Sequence, residues 1–104
     1  MMARTPEVIT AEQDQRAAAA LDRVPQPIAA LIERAPCKLT LCFALDRVFN
    51  SNQREDVARA SGYFDGLVFA TQMAAVVWTA EEFVTLTDYG HLAESTALLS
   101  LEEE

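Results

Sequence analysis

"GYFDGLVFATQMAAVVW", residues 62–78, holds two glycines four apart, a single charge at Asp65, and otherwise mostly apolar side chains. Whatever this stretch becomes, the rest of the chain must pack around it. No proline interrupts residues 53–78. The pattern predicts one helix of about 26 residues, roughly 39 Å long at 1.5 Å per residue. Asn52, with Glu55 three positions on, is its expected N-cap. Thr79 and Glu82 form a capping box that opens the next helix.

At about 100° per residue, Val57, Phe64, Val68, Thr71, Ala75 and Trp78 fall on one face of this helix. Gly62, Gly66, Met73 and Val77 fall on the opposite face, flanked by Phe69 and Ala70. Ser61, Asp65 and Gln72 make a narrow polar strip between them. A helix that is apolar on two opposing faces is expected to be covered on both. The chain's own shorter helices can cover one.

The second face carries a ridge of small residues, Ala58, Gly62, Gly66, Ala70 and Ala74, at the i±4 spacing. Glycine costs about 1 kcal/mol against alanine in a helix interior, a penalty that packing should offset. Two arrangements would do so: close packing within the monomer against residues 37–50, or a close crossing with the same helix of a second chain. The second is favoured, because the flanking segments are too short to wrap so long a helix on both sides. The expected dimer contacts are Ala58, Gly62, Gly66, Ala70, Met73, Ala74 and Val77.

Outward from the long helix, the same apolar period recurs. Thr10 reads as an N-cap with Gln13 completing its box, after a flexible stretch over residues 1–9. Ala17, Ala20, Leu21 and Val24 form a stripe that Pro25 ends. Pro27 suits the first turn of a second helix, whose stripe is Ile28, Leu31, Ile32 and Ala35, stopped by Pro36. In "CKLTLCF", residues 37–43, Cys37, Leu39, Leu41 and Phe43 alternate as in a strand. Leu41, Leu45, Val48 and Phe49 instead fit a helix. The helix is favoured, since a lone strand would have no ladder partner. The last segment starts helical, is open to a break at Gly90, and ends in acidic residues 102–104 expected to fray. The expected fold is all-α: one small domain over residues 1–104, with a long central helix at about 53–78, shorter helices around it, and pairing into a dimer.

Composition narrows the partners. The chain has 104 residues, 51% apolar and 23% charged, with a net charge of −8. That is globular composition. It disfavours a phosphate backbone, which is bound largely through Lys and Arg, and an anionic membrane surface. The longest nearly unbroken apolar run, Leu67–Trp78, is too short to span a bilayer. The first ten residues hold no secretory apolar run, so the expected compartment is the cytoplasm.

Candidates for chemistry are few. His91 is the only histidine, and Cys37 and Cys42 are the only thiols. A Cys–His couple is conceivable, but two small core residues and a surface histidine account for the same pattern. A structural zinc site takes four Cys or His ligands, more than the chain has. No glycine-rich phosphate loop occurs. Carboxylates such as Glu12, Glu55, Glu81 and Glu82 sit where helix electrostatics would place them. No enzyme activity, metal or cofactor is expected. A DNA mimic would need carboxylates strung along one surface, whereas the long helix carries only Asp65 after Asp56.

With its length, its acidity and the run "SGYFDGLVFATQMAAVVWTAEEF" at residues 61–83, the whole chain resembles the QslA family of quorum-sensing antiactivators of pseudomonads. The resemblance implies inhibition by binding: a LuxR-type, LasR-like transcriptional activator is engaged and kept from dimerising and from binding DNA. It implies no enzymatic activity, no cofactor and no direct contact with nucleic acid. It assigns no contact residues. From the residues themselves, the expected anchors are Tyr63, Phe69, Phe83 and Tyr89, aromatics that one small core need not absorb. Glu81 and Glu82 would steer a basic rim. A DNA mimic and a small-molecule-binding module are the rival readings.

Overall fold

The computed structural model describes residues 6–102. Five helices follow one another: α1 (Pro6–Asp22), α2 (Gln26–Glu33), α3 (Lys38–Asn50), α4 (Arg54–Ala75) and α5 (Ala80–Glu102). No strand occurs among the described residues, so the all-α expectation holds. Residues 38–43 are helical, which settles the ambiguity of "CKLTLCF".

α3 lies at the centre and touches each of the other four helices, most extensively α4 and α1. α5 lies along α4. The result is flattened, 50 × 36 × 22 Å. The stripes read from the sequence face inward. Ala17, Ala20, Val24, Ile28, Leu31, Ile32, Ala35, Leu41, Leu45 and Val48 are buried, and Leu21 and Phe49 are partly so. On α4, Val57, Phe64 and Val68 are fully buried, with Ala60 and Ser61 beside them. Ala75, placed on this face by periodicity, is exposed, because α4 has reached its end there.

Helix ends differ from expectation more than helix faces do. α1 begins at Pro6, so Thr10 lies inside it rather than capping it. Of the ends expected to be flexible, residues 6–9 and 102 are helical; residues 1–5 and 103–104 lie outside the described residues. The N-cap of α4 is Gln53, not Asn52, and its side chain makes no cap bond. α5 runs through Gly90 without a break.

α4 stops at Ala75, short of the expected residue 78, although no glycine follows it. Val76 takes the left-handed conformation, φ 47°, that a glycine would normally supply. A β-branched residue there carries backbone strain of about 1–3 kcal/mol. The compensation is Trp78, which the turn directs into the core. Its ring is buried, and its indole N–H donates to the Leu31 carbonyl at 2.8 Å. Burying a side chain of this size is worth roughly 4–6 kcal/mol, an upper estimate from the area it removes from water. Gln72 then closes the turn: its Nε2 donates to the Trp78 carbonyl, and its Oε1 accepts from the Trp78 N–H.

Thr79 and Glu82 form the expected capping box. The Thr79 N–H donates to Glu82 Oε1 at 2.9 Å, and the Glu82 N–H donates to Thr79 Oγ1 at 3.1 Å.

Candidate protein-binding face

The inner face of α4 meets α3 and α5, but its outer face meets no other element among the described residues. Ala58, Gly62, Gly66, Ala70 and Ala74 are all exposed. A Cβ added at Gly62 or at Gly66 would find no heavy atom within 4 Å. Close packing of this ridge inside the monomer, against residues 37–50, is therefore excluded: α3 lies on the other side of α4.

Large apolar side chains rim the ridge. Tyr63 is 54% exposed, Phe69 58% and Met73 71%. Phe69 leans toward α5 and packs on Phe83, with ring centroids 6.3 Å apart and planes tilted by 57°. Phe83 is itself partly buried against the core, so it anchors Phe69 more than it presents a free surface. Val77, expected on this outer face and among the dimer contacts, instead packs against the core; its backbone turns away with Val76, and its carbonyl accepts from Arg34 Nη2.

Glu82 holds more than the cap. Its Oε2 accepts from Arg34 Nη1 at 2.7 Å. The Arg34 hydrogen bond, followed by the Thr79 N–H, lowers the carboxyl's pKa below the ordinary glutamate value. Glu82 therefore ties α5 to the end of α2, while Glu81 beside it is exposed. Halfway along α4, Asp65 Oδ2 lies 3.6 Å from His91 Nε2 on α5.

The four expected aromatic anchors do not form one surface. Phe69 and Phe83 touch. Tyr63 lines a small cleft with Arg47, Asp56, Arg59 and Ala60 at the other end of the ridge. Tyr89 is half-buried on a different flank of α5, in a groove it shares with Arg23 and Phe49. Sequence reasoning also passed over Val84, Leu92 and Leu99, which are exposed on α5. The seven-residue spacing of Leu92 and Leu99 was the available signal.

No protein-family model, no curated protein and no solved structure matches this chain.

The thiols and the histidine lie apart in their contacts. Cys42 is buried in the core, and desolvation, reinforced by the charge of Glu33, raises its pKa. A thiol so held stays protonated and is a poor nucleophile. Cys37 is half-buried, with its Sγ 3.1 Å from Thr71 Oγ1. His91 is exposed beside Asp65. Among the described residues, no three Cys, His, Asp or Glu side chains cluster as metal ligands would, and no helix is long and apolar enough to cross a membrane.

Proposed function

We propose that this chain is a protein-binding inhibitor. It covers an apolar surface that a transcriptional activator of the LuxR, LasR-like type needs for its own dimerisation. The observation that supports it is the outer face of α4. Two helix-interior glycines there have no packing neighbour among the described residues outside their own helix backbone, and Tyr63, Phe69 and Met73 stand exposed around them. Scattered exposed apolar residues are ordinary, but a contiguous face with large side chains marks an interaction surface. The activator class comes from the resemblance of the whole chain, in its length, its acidity and the run at residues 61–83, to the antiactivator family.

Two occupants share this reading. A second copy of the chain crosses α4 at Ala58, Gly62, Gly66, Ala70, Met73 and Ala74, where small side chains let backbones approach. The activator engages Tyr63 and the Phe69–Phe83 pair, with Glu81 toward a basic rim. Aromatic anchors of this kind commonly cost about 2 kcal/mol or more when truncated. The acidic rim acts more on the association rate than on affinity.

The test is light scattering and gel filtration of the chain alone and mixed with a purified LuxR-type activator, at low and high salt. The chain alone should be a dimer, and Gly66→Leu should make it a monomer of unchanged helicity. The mixture should shift the activator from dimer to a smaller hetero-complex, with shallow salt dependence. An activator that stays dimeric while bound overturns the dimer-blocking mechanism. Competition with operator DNA that weakens steeply with salt would indicate a DNA mimic instead.

A further inference from the structure

A second site lies away from the outer face of α4. The turn after α1, the C-terminal end of α3 with the loop that follows it, and the second half of α5 line an open groove of about 510 Å³. That volume lies within the range of small-molecule pockets. Its lining is unusual for this chain. In a protein of net charge −8, the groove is lined by one arginine, Arg23, and by no carboxylate.

Arg23 is exposed at the rim of the groove, oriented by two contacts and paired with no carboxylate among the described residues. Its guanidinium lies over the Phe49 ring, 4.4 Å from the centroid. Its Nη1 donates to Asn50 Oδ1 at 3.3 Å. Asn50 is fixed in turn by Asp46, whose Oδ1 and backbone carbonyl accept from Asn50 Nδ2 at 2.8 and 3.0 Å. A guanidinium carries five N–H donors. Among the described residues only one of Arg23's is used, and no carboxylate pairs with it. Half-buried Tyr89 lines the same groove, and its hydroxyl makes no hydrogen bond to any described residue. Burial raises its pKa, so it stays a donor at neutral pH. Along α5 the floor of the groove holds the apolar side chains Leu92, Ala93, Ala97 and Leu101, with Thr96 and Ser100 among them.

We propose that this groove binds a small amphipathic carboxylate, with Arg23 and Tyr89 holding the carboxyl group and the Ala93–Ala97–Leu101 side of α5 holding the hydrocarbon tail. Donors without acceptors select an acceptor-rich head group. The planar fork of arginine matches a carboxylate. Phe49 and Asn50 set its orientation in advance, so little ordering remains to be done on binding. The apolar floor distinguishes an acyl chain from a bare inorganic anion, which would leave that floor wet. This site is independent of the α4 face, so either reading can fail alone.

The experiment titrates the full chain with decanoate, below its micelle concentration, following calorimetry and the amide spectrum by NMR. Decanol, decylamine and acetate are the controls. Decanoate should bind saturably and shift the amides of Tyr89, Ala93 and Ala97, and the three controls should not reproduce this. Arg23→Gln should weaken binding about tenfold or more, the scale of a lost charge-assisted hydrogen bond, with the helical spectrum unchanged. Tyr89→Phe should weaken it less. Equal binding of decanol, undiminished binding by Arg23→Gln, or amide shifts centred on Gly62 and Gly66 would each overturn the proposal. Should Arg23→Gln fail to fold, Ala97→Phe, which fills the tail side of the groove, takes its place: it should abolish binding, and retained binding would overturn the proposal equally.

Discussion

Gly90 and the pair Gly62 and Gly66 lie on opposite sides of one helix. Gly90, on α5, faces the inner side of α4. A Cβ there would come within 2.9 Å of the Phe64 ring, closer than real Cβ contacts allow. Gly62 and Gly66, on the outer side of α4, have open space where their side chains would be. Gly90 is needed because α4 and α5 approach closely over a fully buried phenylalanine. The other two carry the conformational cost of glycine with no return inside the monomer. That difference is the main reason for reading the outer face of α4 as a surface made for another molecule.

The largest test of the inner side is Phe64→Ala. Removing a fully buried ring beside Gly90 should cost about 3–5 kcal/mol, read as a fall in the denaturant midpoint. A loss below 1 kcal/mol, roughly the range of a surface change, would mean the α4–α5 contact is not tightly packed. Gly90→Ala should follow at about 1–3 kcal/mol, the range for overpacking a filled core. The Phe64 ring is fully buried and has little freedom to give way.

On the outer side the sign should reverse. Gly62→Ala and Gly66→Ala should each stabilise a dilute monomer by about 0.4–1 kcal/mol, because alanine fits a helix and restricts the unfolded chain. Repeating the melts at high protein concentration sharpens the comparison. If a second copy covers this face, the gain should shrink or invert as concentration rises, since the dimer adds stability by mass action. Identical gains at every concentration would argue against self-pairing through the ridge.

The smallest effect concerns the joint at the end of α4. Glu82 is held in its charged form by Arg34 and the Thr79 N–H, which lower its folded pKa. A lowered carboxyl pKa contributes stability that is fully present above the unfolded value and is lost as pH falls through the folded one. Wild type should therefore melt above Glu82→Gln at neutral pH, and the gap should close on acidification. A gap that persists below the carboxylate range would place the effect in packing instead. The pair is solvent-screened, so the shift should be small.

The sequence by itself determined the helical class, the buried faces of α1 to α4, and the capping box at Thr79 and Glu82. Periodicity reports which side of a helix is apolar, and short-range hydrogen bonds set a cap; neither needs a distant partner. It also marked the outer face of α4 as apolar and rich in small residues. Only the tertiary structure decided what those glycines meet. A glycine in a sequence says that a side chain is absent, not whether a neighbour has come close, and so Gly90 left a break open while serving as a contact. The end of α4 was hidden for a related reason. Val76 has no local tendency toward a left-handed turn; it is placed there by the burial of Trp78 against Leu31, contacts 47 residues apart along the chain. The groove around Arg23 was invisible for the same cause, since the turn after α1, the end of α3 and α5 supply it together and no single segment carries its pattern.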